Sequence, residues 1–187
     1  MNDQVDYNFF LVEELIRELK DTVNDPLSLS GKQDQTIVAK IVKDDRPFHP
    51  MRLWDTCHKY LTKGVFRSKG FFWMPTRDDV SLLWSQANGS VGLEVTGFWR
   101  AFVINDESQN FTAEHRQMLQ DKIDKVESRF GDRRCRLTVI GQEDEVDSFI
   151  ESLQHCFLTD HEIEQWKDGA PFQDPWPQKI TKLTQNN

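Results

Sequence analysis

Val65-Phe66-Arg67-Ser68-Lys69-Gly70-Phe71-Phe72-Trp73-Met74, then Pro75-Thr76-Arg77-Asp78-Asp79, then Val80-Ser81-Leu82-Leu83-Trp84-Ser85-Gln86-Ala87-Asn88-Gly89: this stretch decides the fold. Two runs rich in β-branched and aromatic residues, separated by a proline and aspartate turn, read as neighbouring antiparallel strands. Asn88-Gly89 is the strongest hairpin signal in the chain, because both residues tolerate the positive φ of a two-residue turn. Val91 to Val95 returns from that turn as a third strand, and after Gly97 the run Trp99 to Ile104 reads as a fourth.

Upstream, Ile37 to Val42 is short and β-branched, a further strand. Arg46 to Pro50 interrupts it, and Pro50 fits the first turn of a helix whose apolar stripe is Leu53, Trp54, Cys57 and Leu61, with Gly64 to end it. Downstream, Phe111-Thr112 opens a helix through Phe130, Leu137 to Ile140 makes another strand, and Val146, Phe149, Ile150 and Leu153 mark a helix over 144–157. Thr159 and Glu162 have capping-box spacing for a short helix containing Trp166. This order predicts an α+β fold. An antiparallel sheet in a split βαβ (ferredoxin-like) arrangement is enlarged by a central hairpin, with helices mainly on one face. The other face is solvated or, if it shows Phe71, Trp73 and Trp84, offers a surface to a partner.

The ends differ in character. Val12, Leu15, Ile16 and Leu19 lie on one face of an amphipathic helix over 7–22, and a polar stretch follows. The expected organisation is a helix and linker over 1–36, a domain over 37–170 and a flexible tail over 171–187.

The 187 residues suit one domain, and a formal charge of −8 repels phosphate backbones and anionic headgroups, so nucleic acid and membrane are not expected partners. No apolar run approaches the roughly 20 residues of a membrane span. Met1-Asn2-Asp3-Gln4 lacks the basic start of a secretory signal, and Cys57, Cys135 and Cys156 are an odd, widely spaced set. Both point to a cytoplasmic protein with reduced thiols.

Catalytic motifs are missing. Pro26 to Gln33 echoes a P-loop but has Pro26 where backbone amides need glycine and Gln33 where magnesium needs a hydroxyl. No GxSxG or HExxH occurs, so no catalytic residue is assigned. His155, Cys156 and His161 are the candidate metal ligands, for zinc or cobalt. However, His155 and Cys156 are adjacent on a helix, with side chains about 100 degrees apart, which disfavours one shared ion. A sensor or buffer would draw on His49, His58, His155 and His161 with Cys57 or Cys156. Lys69-Gly70-Phe71-Phe72-Trp73 has some likeness to the aromatic strand of an RNA-binding domain, although Phe72 stands where that signature needs a small residue.

Arg46-Pro47-Phe48-His49-Pro50-Met51-Arg52-Leu53 resembles the opening of the C-terminal domain of CobW-type metal-handling GTPases. The blocks 68–73, 83–89, 131–141 and 156–160 continue the likeness in order, from residue 37 to about 166. The resemblance implies a domain that normally follows a GTPase allocating zinc or cobalt, here expected as a stand-alone, non-enzymatic module. Its expected partner is a separate GTPase or a client metalloprotein, and a homodimer is an open alternative. Arg46, His49, Lys69, Trp73, Trp84, Ser85 and Gln86 lie in these blocks, combine aromatic area with polar handles, and are the candidate binding residues.

Overall fold

The computed structural model describes residues 36–60, 64–87 and 90–177. The helix expected over 7–22, the P-loop echo, Leu61 and the Asn88-Gly89 turn lie outside the described residues. The elements are β1 (Ile37–Asp44), α1 (Pro50–Tyr60), β2 (Val65–Phe72), a 3-10 turn at Pro75–Arg77, β3 (Val80–Ala87) and β4 (Ser90–Phe98). Then come α2 (Arg100–Val103), α3 (Ala113–Ile123), β5 (Cys135–Gln142), α4 (Glu143–Cys156) and α5 (Asp160–Lys167).

The strands form one sheet in the order β1-β5-β2-β3-β4. β1 and β2, joined through α1, flank β5, which is the split βαβ expected, and the β3–β4 hairpin extends the sheet on the far side. The β2–β3, β2–β5 and β3–β4 pairings are antiparallel, and Ala87 pairs with Ser90 across the hairpin end. Gly64, at φ +55, stands between α1 and β2, where a left-handed residue is needed to reverse the chain.

Side chains alternate along each strand, so the register sorts them into two faces. Ser68, Gly70 and Phe72 of β2 stand beside Gln86, Trp84 and Leu82 of β3 and, on the other side, Ser68 and Gly70 stand beside Val139 and Leu137 of β5. This face carries the core, because α1 and α4 pack together and α4 lies on β5 and β2. Trp73, Trp84, Phe48, Phe72 and Phe149 are its largest fully buried members. The face away from these helices carries Arg67, Lys69 and Phe71 of β2, Leu83 and Ser85 of β3, Glu94 of β4, and Arg136, Thr138 and Ile140 of β5. Leu83 and Ile140 are buried there but lie outside the main core.

Three expectations are corrected. Trp99 to Ile104 is the helical turn α2 and not a strand, because the buried Asp132 carboxylate accepts the backbone N–H groups of Arg100 and Ala101 at 3.0 and 2.9 Å and so caps a helix start. The helix opened by Thr112 stops at Ile123, with turns continuing towards Phe130. Residues 171–177 are no loose tail. Trp176 is buried, donates its indole N–H to the Pro50 carbonyl at 3.1 Å, and meets Trp54 and Trp84 edge to face.

Candidate functional site

The segment 46–52 and the segment 156–162, more than a hundred residues apart in sequence, close on each other as a clasp. The rings of Phe48 and Phe157 stack at 4.2 Å between centroids. On either side, the His49 N–H donates to the Cys156 carbonyl at 2.8 Å and the Leu158 N–H to the Pro47 carbonyl at 2.9 Å. Arg46 lies over the Phe157 ring and pairs with Asp44 at 2.7 Å. Arg52 sends Nη1 and Nη2 to the two Glu162 oxygens at 2.6 and 2.8 Å, and Nη2 also reaches the Phe157 carbonyl at 3.0 Å.

Glu162 also completes the capping box of α5, accepting the Thr159 N–H at 2.8 Å while the Thr159 hydroxyl accepts the Glu162 N–H. The Arg52 guanidinium holds its carboxyl well below the usual range, at about 2, with the Thr159 donors assisting against burial. His49 precedes α1, and its Nδ1 accepts the Arg52 N–H at a long 3.4 Å, as a cap would. Burial, and then the Arg52 charge, lower its pKa, which keeps the ring neutral at neutral pH. His49 and Arg46 are half-buried, and their polar groups bond within this junction, His49 to the Arg52 N–H and Arg46 to the Leu158 carbonyl.

A second polar group lies under the sheet. The Trp84 indole N–H donates to the Ser68 hydroxyl at 2.8 Å, Ser68 donates to Gln86 Oε1 at 3.0 Å, and Gln86 Nε2 donates to the Val65 carbonyl at 3.4 Å. All three side chains are buried. Trp84 and Gln86 thus belong to the interior and not to a partner surface. Trp73 does too: it is fully buried, packs on Phe130 and Trp166, and donates to the Asp45 carbonyl at 3.1 Å.

Only Lys69 and Ser85 of the seven candidates stand together on the face away from the helices, directly opposite each other across β2 and β3. Of the three aromatics that would make that face a partner surface, Phe71 lies on it and Trp73 and Trp84 do not. Several partners were not picked out by the sequence reading: Ser68 at the centre of the buried network, Glu162 as the mate of Arg52, and Asp45. Asp45 takes three hydrogen bonds from Arg129, which outweigh the rise that burial alone would cause and lower its pKa. The capping-box spacing already marked Glu162; nothing local marked the others.

The metal candidates do not converge. His155 and His161 are exposed, while Cys156 is buried with its thiol donating to the Ser152 carbonyl at 3.2 Å and lying 3.2 Å from the Thr56 hydroxyl. Among the described residues no three His, Cys, Asp or Glu side chains gather as metal ligands would. Burial raises the thiol pKa of Cys57, Cys135 and Cys156, disfavouring the thiolate that binds metal.

Residues 37–157, which hold the whole sheet and the clasp as far as Phe157, are matched by the model of the cobalamin synthesis protein cobW C-terminal domain. The chain belongs to that family. A zinc-regulated GTPase metalloprotein activator of Dictyostelium discoideum is 36% identical to this CobW C-terminal domain chain over 132 residues, covering 68% of this chain and 26% of that protein. A zinc chaperone of Mycobacterium tuberculosis is 28% identical over 131 residues, covering 70% of this chain and 32% of its own length. The CobW C-terminal domain chain therefore spans about a quarter to a third of these relatives. A solved zinc-bound YjiA GTPase from E. coli, at 13% identity, covers 65% of this chain and 30% of that one with a TM-score of 0.42, too low to carry an argument. Among the described residues no helix is long and apolar enough to cross a membrane.

Proposed function

We propose that this CobW C-terminal domain is a non-catalytic protein-interaction module of zinc homeostasis, acting on a metal-handling GTPase or a client metalloprotein in the cytoplasm. The observation that carries the reading is the family membership over 37–157, with relatives named as a zinc-regulated GTPase activator and a zinc chaperone. The internal chemistry supports it. Polar side chains of the family's sequence blocks are spent inside the fold, Arg52 on Glu162 and Ser68 on Trp84 and Gln86, leaving polar side chains of the sheet face to meet a partner.

Affinity capture of the full chain from zinc-limited and zinc-replete cells, followed by quantitative mass spectrometry, tests the proposal. The expected result is enrichment of a CobW-type GTPase or a zinc metalloprotein under limitation. Failure to enrich either, or GTP hydrolysis by the purified chain that one substitution abolishes, would overturn it.

A further inference from the structure

The chain is acidic overall, and most of its described arginines are engaged. Arg46, Arg52, Arg77, Arg100, Arg129 and Arg133 each pair with a carboxylate, and Arg116 donates to the Ile104 carbonyl. Arg67 has an interaction as well. Arg134 and Arg136 differ: neither guanidinium has an ion pair or side-chain hydrogen bond among the described residues, and Arg136 Nε is buried without a partner.

The two sit at the start of β5. Arg136 lies on the sheet face away from the helices, opposite Phe71 of β2; Arg134, two residues earlier, feels the attraction of the Asp132 carboxylate and, against it, the repulsion of the Arg136 and Arg100 charges. Lys69, also without an ion pair among the described residues, occupies the same-face position of β2 just before Phe71. The carboxylate on the described strands of this face is Glu94, out on β4. Asp132 supplies counter-charge to Arg134, but it is also paired with Arg100 and accepts the backbone N–H groups of Arg100 and Ala101. Two more half-buried guanidinium groups beside it leave a surplus of positive charge that an anion offsets, and the planar fork of arginine suits a carboxylate.

We propose that Arg134, Arg136 and Lys69, with Phe71 between them, form a docking strip for an acidic segment of a partner polypeptide. This rests on the interaction-module reading and names the chemistry of the partner. A polypeptide is favoured over nucleic acid because the surrounding charge of −8 repels a polyanion at long range, whereas a short acidic segment meets only the local cations.

The test uses the full chain and fluorescein-labelled octaglutamate, read by anisotropy, with a charge-matched oligothymidylate alongside. Saturable octaglutamate binding is expected, weakened by salt and by at least about tenfold in Arg134→Gln/Arg136→Gln. Arg134→Lys/Arg136→Lys, which keeps charge and loses the fork, is expected to fall between. Lys122→Gln/Lys125→Gln removes the same charge from elsewhere and is expected to bind as the parent does. Thermal unfolding of each variant checks the fold. Equal binding by the Gln pair and the parent would overturn the strip, as would tighter binding of oligothymidylate than octaglutamate. If the Gln pair also captures the same proteins from zinc-limited cells as the parent, the strip falls and the module reading stands. An empty capture with octaglutamate binding intact gives the reverse.

Discussion

Removing the Ser68 hydroxyl should destabilise the domain far more than its size suggests. Ser68, Trp84 and Gln86 are each 1% exposed, so no water replaces a lost bond. In Ser68→Ala the Trp84 indole N–H loses its 2.8 Å acceptor and Gln86 Oε1 its 3.0 Å donor. A buried polar group left unpaired costs about 1–3 kcal/mol, so two give about 2–5 kcal/mol. In a domain of this size that lowers Tm by roughly 5–15 °C. Urea unfolding followed by tryptophan fluorescence reads it, with a lower midpoint and unchanged slope. Replacing the orphaned partners should recover part of the loss, so Ser68→Ala/Trp84→Phe and Ser68→Ala/Gln86→Leu should be less damaged than the sum of their single changes. A Ser68→Ala protein within about 0.5 kcal/mol of the parent, or strictly additive pairs, would refute the reasoning.

Three further outcomes follow from the geometry. Glu162 is held at about 2 against an ordinary 4.5, so its contribution is complete above the ordinary value and fades as pH falls towards the lower one. Arg52→Ala should therefore cost about 1–2 kcal/mol at neutral pH, allowing for partial solvent exposure, and little near pH 2, as acid titration of unfolding will show. A Cβ on Gly70 would collide with the Arg136 carbonyl oxygen across the β2–β5 pairing, so Gly70→Ala should lose at least about 3 kcal/mol by chemical denaturation. Trp176→Ala removes a ring packed on two other tryptophans and its bond to Pro50, and should cost about 3–5 kcal/mol by thermal unfolding.

The strands β1 to β5 and the helices α1, α4 and α5 were legible because each carries its own periodicity and punctuation: Asn88-Gly89 after β3, Pro50 opening α1, the Thr159–Glu162 box. Trp99 to Ile104 was not. Its apolar run favours a strand locally, and the carboxylate that turns it helical, Asp132, comes some thirty residues later. Trp84 and Gln86 were misread as surface because Leu82, Leu83 and Trp84 are apolar in succession, leaving the phase of alternation unset. Only pairing with Ser68 and Gly70 fixes it. Trp176 gave no signal at all, since a lone tryptophan among prolines and polar residues shows neither period nor partner. The candidate site was legible as sequence blocks, by resemblance; that 46–52 and 156–162 close on each other was not, because strand-and-helix patterns do not encode which distant segments meet.

Calorimetric titration of the purified chain into a GTP-loaded CobW-type GTPase from the same cells bears most directly on whether this domain works by contact. Saturable binding is predicted, lost when Arg134 and Arg136 are both changed to glutamine, with no nucleotide turnover by the chain alone. Absence of heat with any such GTPase, together with GTP hydrolysis by the isolated chain, would contradict it.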